Sequence, residues 1–227
     1  VRLVALRQEG HLNVFTLALS ERVPGGAREV QEISVPLPGP HKALNACAAF
    51  AVGLQCGLSD DAIKQAFASF AGVKRRFQHV GDWNGINVCD DYAHHPVEIA
   101  AALSAARAGA QGRVIAVVEP HRYTRVRDLF SDFCACFRDA DSVIVAPMYS
   151  AGELPIEGVD QHALAEGIRK AGHPSVLASD DPRELVGLVH RYGRAKDTIV
   201  CMGAGASTEW ANALPTWLVD EPRMAGE

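Results

Sequence analysis

Between His121 and Arg127 the chain places one histidine and three arginines, Arg122, Arg125 and Arg127, before the first acid, Asp128. Guanidinium groups hold carboxylates and phosphates through paired N–H donors. A helix opening near Arg122 would put Arg122 and Arg125 on one face and add the positive field of its first turn. The cluster follows a strongly apolar run, so it is expected at a strand's carboxyl end as an anion site rather than as a solvated basic helix start. A second group, Asp90, Asp91, Tyr92, His94 and His95, precedes Pro96. Imidazole and carboxylate are metal ligands. Adjacent histidines in extended pre-proline backbone point to opposite sides, however, and the helix that follows is taken to add no third ligand. A small-molecule site is the expectation, with a metal site and a solvated loop as alternatives. Gly203-Ala204-Gly205 is read as a tight strand-to-helix turn without an assigned role. Residues 1–227 hold no G-x-x-x-x-G-K-S/T run and no G-x-G-x-x-G run, so a self-contained ATP-phosphate site is not expected.

The elements that must position these groups follow from periodicity. Residues 2–7, 12–19 and 29–35 are β-prone and separated by glycine turns, which predicts an antiparallel edge. Residues 43–54 are apolar almost all round and predict a buried helix, and Ser59 caps a second helix carrying Ile63, Phe67 and Phe70 at helical spacing. The basic stretch 71–79 separates domains, giving 1–79 and 80–227. Beyond it, Asn84-Gly85 signals a hairpin between 80–83 and 86–89. Helices are then predicted at 97–108, 125–138, 161–171 and 182–192, alternating with strands at 113–118, 142–146, 175–178 and 198–202. Such alternation means a mostly parallel, doubly wound α/β sheet whose ligands bind at the carboxyl ends of the strands.

Composition narrows the function classes. With 48% hydrophobic and 22% charged residues and a net charge of -5, the chain is an ordinary globular protein with no global attraction for nucleic acid or an anionic membrane. No apolar run approaches a membrane span and the first residues are unlike a signal peptide, so a cytoplasmic protein is expected. The six cysteines sit in apolar stretches without zinc-site spacing and are expected to be reduced packing residues.

Five segments carry a resemblance to a known family: KRRFQHVG at 74–81, DDYAHHPVEI at 90–99, PHRYTRVRDLF at 120–130, YSAGELPIEG at 149–158 and MGAGA at 202–206. Their order and spacing resemble the Mur ligases, in the branch that adds L-alanine to UDP-N-acetylmuramate, and PHKALNACAA at 40–49 is similar to that family's G-x-H-N-x-x-N-A-x-A helix start. Lys42 stands where the family usually has Asn, and Ala206 where Asp is common.

The resemblance implies a Rossmann-like C-terminal ligase domain preceded by the tail of a central ATP-binding domain. The reaction it implies is phosphorylation of the UDP-N-acetylmuramate carboxylate by ATP, with Mg2+ neutralising the phosphates, followed by attack of L-alanine on the acyl phosphate. By motif position, Asn45 would contact the adenine, Arg76 the γ-phosphate and Asp91 the ribose. Tyr92, His94, His121, Arg122 and Arg125 would surround the alanine and the reacting carboxyl, with Arg76, His94 and His121 closest to the chemistry. The chain starts at Val1 and has no phosphate loop, so it is expected to be the C-terminal part of a longer enzyme and inactive without the remaining segments of the same protein. Competing readings are a ligase that recycles tripeptide onto UDP-N-acetylmuramate, a folate polyglutamate ligase, and a non-catalytic Rossmann-like binding module.

Overall fold

The computed structural model describes residues 1–10 and 12–220, which divide into two units, Val1–Val73 and Lys74–Glu227. The division falls inside the basic stretch 71–79, so Arg75 and Arg76 belong to the second unit.

In the first unit β1 (Arg2–Glu9), β2 (Leu12–Leu19) and β3 (Arg28–Val35) form an antiparallel sheet in sequence order. Helices α1 (Pro40–Gln55) and α2 (Asp60–Ala68) complete its core around Phe15, Leu17, Ile33, Ala43, Phe50 and Ile63. Ser59 caps α2 as its sequence requires, its hydroxyl accepting the Ala62 N–H at 3.2 Å. The expectation for α1 needs correcting. One stripe is buried, but Leu44 is 57% and Val52 62% exposed, because the sheet and α2 cover only one side of the cylinder. Phe70 falls beyond the end of α2 and is exposed.

The second unit is a six-stranded sheet. Its elements run β4 (Gln78–Trp83), β5 (Ile86–Asp91), α3 (Pro96–Gly109), β6 (Val114–Val118), α4 (Tyr123–Asp128), α5 (Phe130–Ala135), β7 (Ser142–Val145), α6 (Gln161–Lys170), β8 (Val176–Ala178), α7 (Glu184–Tyr192), β9 (Thr198–Met202) and α8 (Ser207–Asp220). The strand order is β4-β5-β9-β6-β7-β8, with β4 antiparallel and the other pairs parallel. Asn84 and Gly85 turn the β4–β5 hairpin with φ of 48° and 78°, the left-handed pair that a two-residue turn requires.

Both faces of the sheet are covered. Alternate residues Val114, Ala116 and Val118 of β6 face α3, α5 and α6, and Ile115 and Val117 face α7 and α8. A strand clothed on both sides must be apolar throughout, and all five residues of β6 are buried. Full burial of each valine or isoleucine side chain contributes about 1.5–3 kcal/mol. The helix expected at 125–138 is two short helices broken at Leu129 (φ −114°, ψ 24°). The strand-to-helix turn at 203–205 implies a helix without setting its bounds; the structure places α8 there, with Pro215 inside it and Ala211, Leu214 and Leu218 buried. A methyl on Gly81 of β4 would lie 2.7 Å from the Pro215 ring, so α8 seats its proline against the only side-chain type that leaves room.

All six cysteines are free. Cys47, Cys89 and Cys201 are packing residues, whereas Cys56 is exposed, contrary to its expected role. Among the described residues no helix is long and apolar enough to cross a membrane.

Candidate functional site

The carboxyl ends of β5, β6 and β7 bring together a row of rings. Tyr92 meets His94 edge to face at 5.1 Å between centroids, His94 lies 5.4 Å from His121, and His121 stacks on Tyr149 at 5.3 Å and 12°. Two cations close the Tyr92 end: the Arg75 guanidinium lies 4.6 Å from the Tyr92 ring centroid and that of Arg76 5.6 Å. Beside the third ring Arg125 Nη1 is 3.3 Å from His121 Nδ1.

Local sequence explains how His94 is presented. Pro96 holds His95 extended (φ −109°, ψ 143°) and starts α3, so consecutive side chains diverge. His95 turns back to cap α3, its Nδ1 accepting the Val97 N–H at 3.4 Å, while His94 joins the ring row. Glu98 closes the capping box, accepting the N–H groups of His94 (3.1 Å) and His95 (3.2 Å). Its carboxylate also lies 3.5 Å from His94 Nδ1, a partner four residues on that the sequence reading passed over. Burial pushes the Glu98 pKa up, but those N–H donors and the charges of His94 and Arg76 outweigh it and hold the carboxyl below its usual range.

The loop after β6 departs from expectation at Arg122. This residue is not in a helix; it precedes α4 with φ 72°, and its Nε donates to Glu153 at 2.9 Å. Glu153 also accepts the Thr124 N–H (3.0 Å) and hydroxyl (2.7 Å). Thr124's hydroxyl and N–H, then Arg122, hold the Glu153 pKa down to about 2. Arg122 and Arg125 therefore do not form one fork. Arg122 is committed to a carboxylate of the chain, and Arg125 is the guanidinium beside the rings. The backbone fixes the same segment, since Arg122 N donates to Tyr149 O and Tyr149 N to Pro120 O, both at 2.9 Å.

Burial, then the charges of His94, Arg125 and Arg122, lower the His121 pKa from its ordinary value near 6.5. A depressed histidine contributes stability that is present above the unfolded pKa and lost as pH falls through 6.5 toward the folded value. An NMR titration of the His121 ring should accordingly give a midpoint below 6.5; a midpoint at or above it would mean that a charged partner outweighs burial.

Under the rings lies a polar floor that sequence reasoning missed. Glu119, 1% exposed, directly follows β6 and accepts the N–H groups of Gly205 (2.9 Å), Ala206 (2.9 Å) and Ser207 (3.3 Å) at the start of α8. Burial pushes its pKa up; these donors and Arg75 oppose the rise. Arg75 donates to Gly203 O at 2.9 Å, and its Nε is 4.0 Å from Asp90 Oδ2. Among the described residues neither of those two atoms has a hydrogen-bond partner. The 203–205 loop, given no role above, is thus the seat of a buried carboxylate. A methyl on Gly203 would meet Ser207 Oγ at 2.7 Å and Glu119 Cβ at 2.8 Å, and one on Gly205 would run into the Tyr149 ring. The available signal was a lone acid closing an otherwise apolar strand.

Asp91 is 5% exposed, and its oxygens accept the N–H groups of Phe77 (2.7 Å) and Ala93 (2.8 Å). It thereby ties the Arg75–Arg76 segment to the Tyr92 loop. Arg76 is exposed, its guanidinium over the Tyr92 ring and within reach of an anion from solvent. Asn45 is exposed on α1 of the first unit.

The sequence profile described as "Mur ligase, glutamate ligase domain" matches residues 75–205. A UDP-N-acetylmuramate–L-alanine ligase of Methylorubrum populi is 52% identical over 95% of this chain and 46% of its own length. One from Parvibaculum lavamentivorans is 53% identical over 95% of this chain and 44% of its length. The chain spans about half the length of the curated relatives it matches. In fold, it is similar to the crystal structure of UDP-N-acetylmuramate–alanine ligase from Thermotoga maritima, with a TM-score of 0.76 and 21% identity over 96% of this chain and 46% of that one.

Proposed function

The chain belongs to the Mur ligase family, and on that premise we propose that it is the C-terminal part of an ATP-dependent ligase joining L-alanine to UDP-N-acetylmuramate in peptidoglycan synthesis. The observation that carries the reading is the ring row Tyr92, His94, His121 and Tyr149 with Arg125 beside His121, on the carboxyl edge of the sheet. A guanidinium beside His121, with His94 next in the row, suits a ligand that carries a carboxylate and an amine a few ångströms apart. Tyr92, His94, His121 and Arg125 surround the amino acid, and Arg122 stands on the rim with Glu153. Arg76 receives the γ-phosphate; the ribose role of Asp91 requires sharing oxygens that already accept the Phe77 and Ala93 N–H groups, and the adenine role of Asn45 rests on the resemblance alone. The exposed guanidinium of Arg76 fits an anionic phosphate. Mg2+, when bound, supplies neutralisation of the phosphate oxygens; no residue of this chain is assigned to it. The chain's own contribution is positioning and charge stabilisation while phosphoryl and then acyl transfer occur. Localisation in the cytoplasm is part of the same proposal.

Isothermal titration tests it. The polypeptide should bind UDP-N-acetylmuramoyl-L-alanine more tightly than L-alanine alone. Preference for the tripeptide form would favour the recycling ligase, and binding of neither would leave a structural module. The same polypeptide should release no phosphate from ATP with both substrates and magnesium, because residues 1–227 contain no phosphate loop. Release above background that Arg76→Ala abolishes would refute that.

A further inference from the structure

The partners of the two histidines in the ring row fix where their protons sit. His94 Nδ1 lies 2.8 Å from the carbonyl oxygen of Tyr92, with the Glu98 carboxylate 3.5 Å away. Neither oxygen can donate, so Nδ1 carries a proton, and when the His94 ring is neutral Nε2 is bare. His121 Nδ1 lies 3.3 Å from Arg125 Nη1. A guanidinium has no acceptor, so this Nδ1 must be bare and the proton of the neutral ring must be on Nε2. The lowered His121 pKa agrees with a neutral ring.

Resting on the ligase reading above, we propose that the two imidazoles hold opposite tautomers and divide the proton work: His94 Nε2 is the acceptor that takes a proton from the incoming ammonium, and His121 Nε2–H is a donor that holds a substrate oxygen. Glu98 is a positioning residue, since it holds the His94 backbone and faces the Nδ1–H. An alanine ammonium gives one proton to His94 Nε2, and the freed lone pair attacks the acyl carbon. The C–N bond forms, the bond between that carbon and the phosphate oxygen breaks, and the second N–H proton leaves with the phosphate. The imidazolium of His94 then returns its proton to solvent. His121 cannot replace His94 as base, because its only unprotonated nitrogen faces Arg125.

Two measurements separate this assignment from the reading of function. Nitrogen-15 correlation spectra of the histidine rings in this polypeptide report the protonated nitrogen directly and need no substrate. His94 should show Nδ1–H and His121 Nε2–H, and Arg125→Ala should mix the tautomers of His121 while leaving those of His94 alone. His94 protonated on Nε2, or His121 on Nδ1, overturns the proposal. In the full-length ligase, His94→Gln should lower kcat about 100-fold or more with the KM for L-alanine within about threefold, whereas His121→Gln should act mainly on that KM. The reverse pattern overturns the division of labour. The expected tautomers together with no alanine ligation by the wild-type enzyme would sink the function and leave the proton assignment standing.

Discussion

Glu119→Ala should lower the unfolding free energy of the second unit by about 3–5 kcal/mol, the range for removing one partner from a buried charged network. The carboxylate is 1% exposed and accepts three backbone N–H groups, from Gly205, Ala206 and Ser207. With alanine these donors face a void next to the Arg75 guanidinium, and the start of α8 loses the charge that its N-terminus favours. Glu119→Gln is the informative control. It keeps the volume and one acceptor oxygen but sets an amide NH2 against N–H donors, so its loss should fall between alanine and wild type. Urea unfolding followed by circular dichroism measures both. A loss under about 1 kcal/mol for alanine would mean that water replaces the carboxylate at little cost. The variant should also disturb the ring row, because Gly205 packs against both Glu119 and Tyr149.

The second large effect concerns substrate recognition in the full-length ligase. Arg125→Ala should raise the KM for L-alanine by about 10- to 100-fold, the equivalent of losing roughly 1.5–3 kcal/mol of charge-assisted hydrogen bonding to a carboxylate. The KM for ATP should change little. Arg122→Ala should cost less, because that guanidinium already has Glu153 as its partner and half of its side chain is in solvent. Steady-state kinetics with each substrate varied in turn checks both. An unchanged KM for L-alanine in Arg125→Ala would remove Arg125 from the amino-acid site.

Much of the fold was legible because its signals are local. Asn84-Gly85 forces a turn, Ser59 caps a helix, Pro96 starts one, and the apolar run of β6 can only be a strand covered on both faces. Where reading failed, a distant residue had overruled the local pattern. Residues 43–54 are apolar nearly all round, yet their exposure was decided by how much of the helix the sheet could cover. The turn at 203–205 announces a helix, but where α8 packs is decided by the fit of Pro215 against Gly81. Arg122 and Arg125 look equivalent at helical spacing, but Glu153 draws Arg122 into a left-handed conformation ahead of α4.

For the candidate site, residue types and order in the sequence determined which loops gather at the carboxyl edge, since strand alternation dictates the sheet and the sheet dictates where its loops emerge. The chemistry of an Arg–His cluster and the family resemblance were likewise carried by segments a few residues long. Only the tertiary structure decided the pairings across the chain: Glu119 with the 205–207 amides and Arg75 with Gly203. It also decided the tautomers of His94 and His121, each dictated by the partner that reaches the ring. The physical reason is range. Propensity and capping act within a turn or two of backbone, whereas hydrogen bonds and desolvation depend on distance in space, and the sheet sets residues 86 and 128 positions apart in contact.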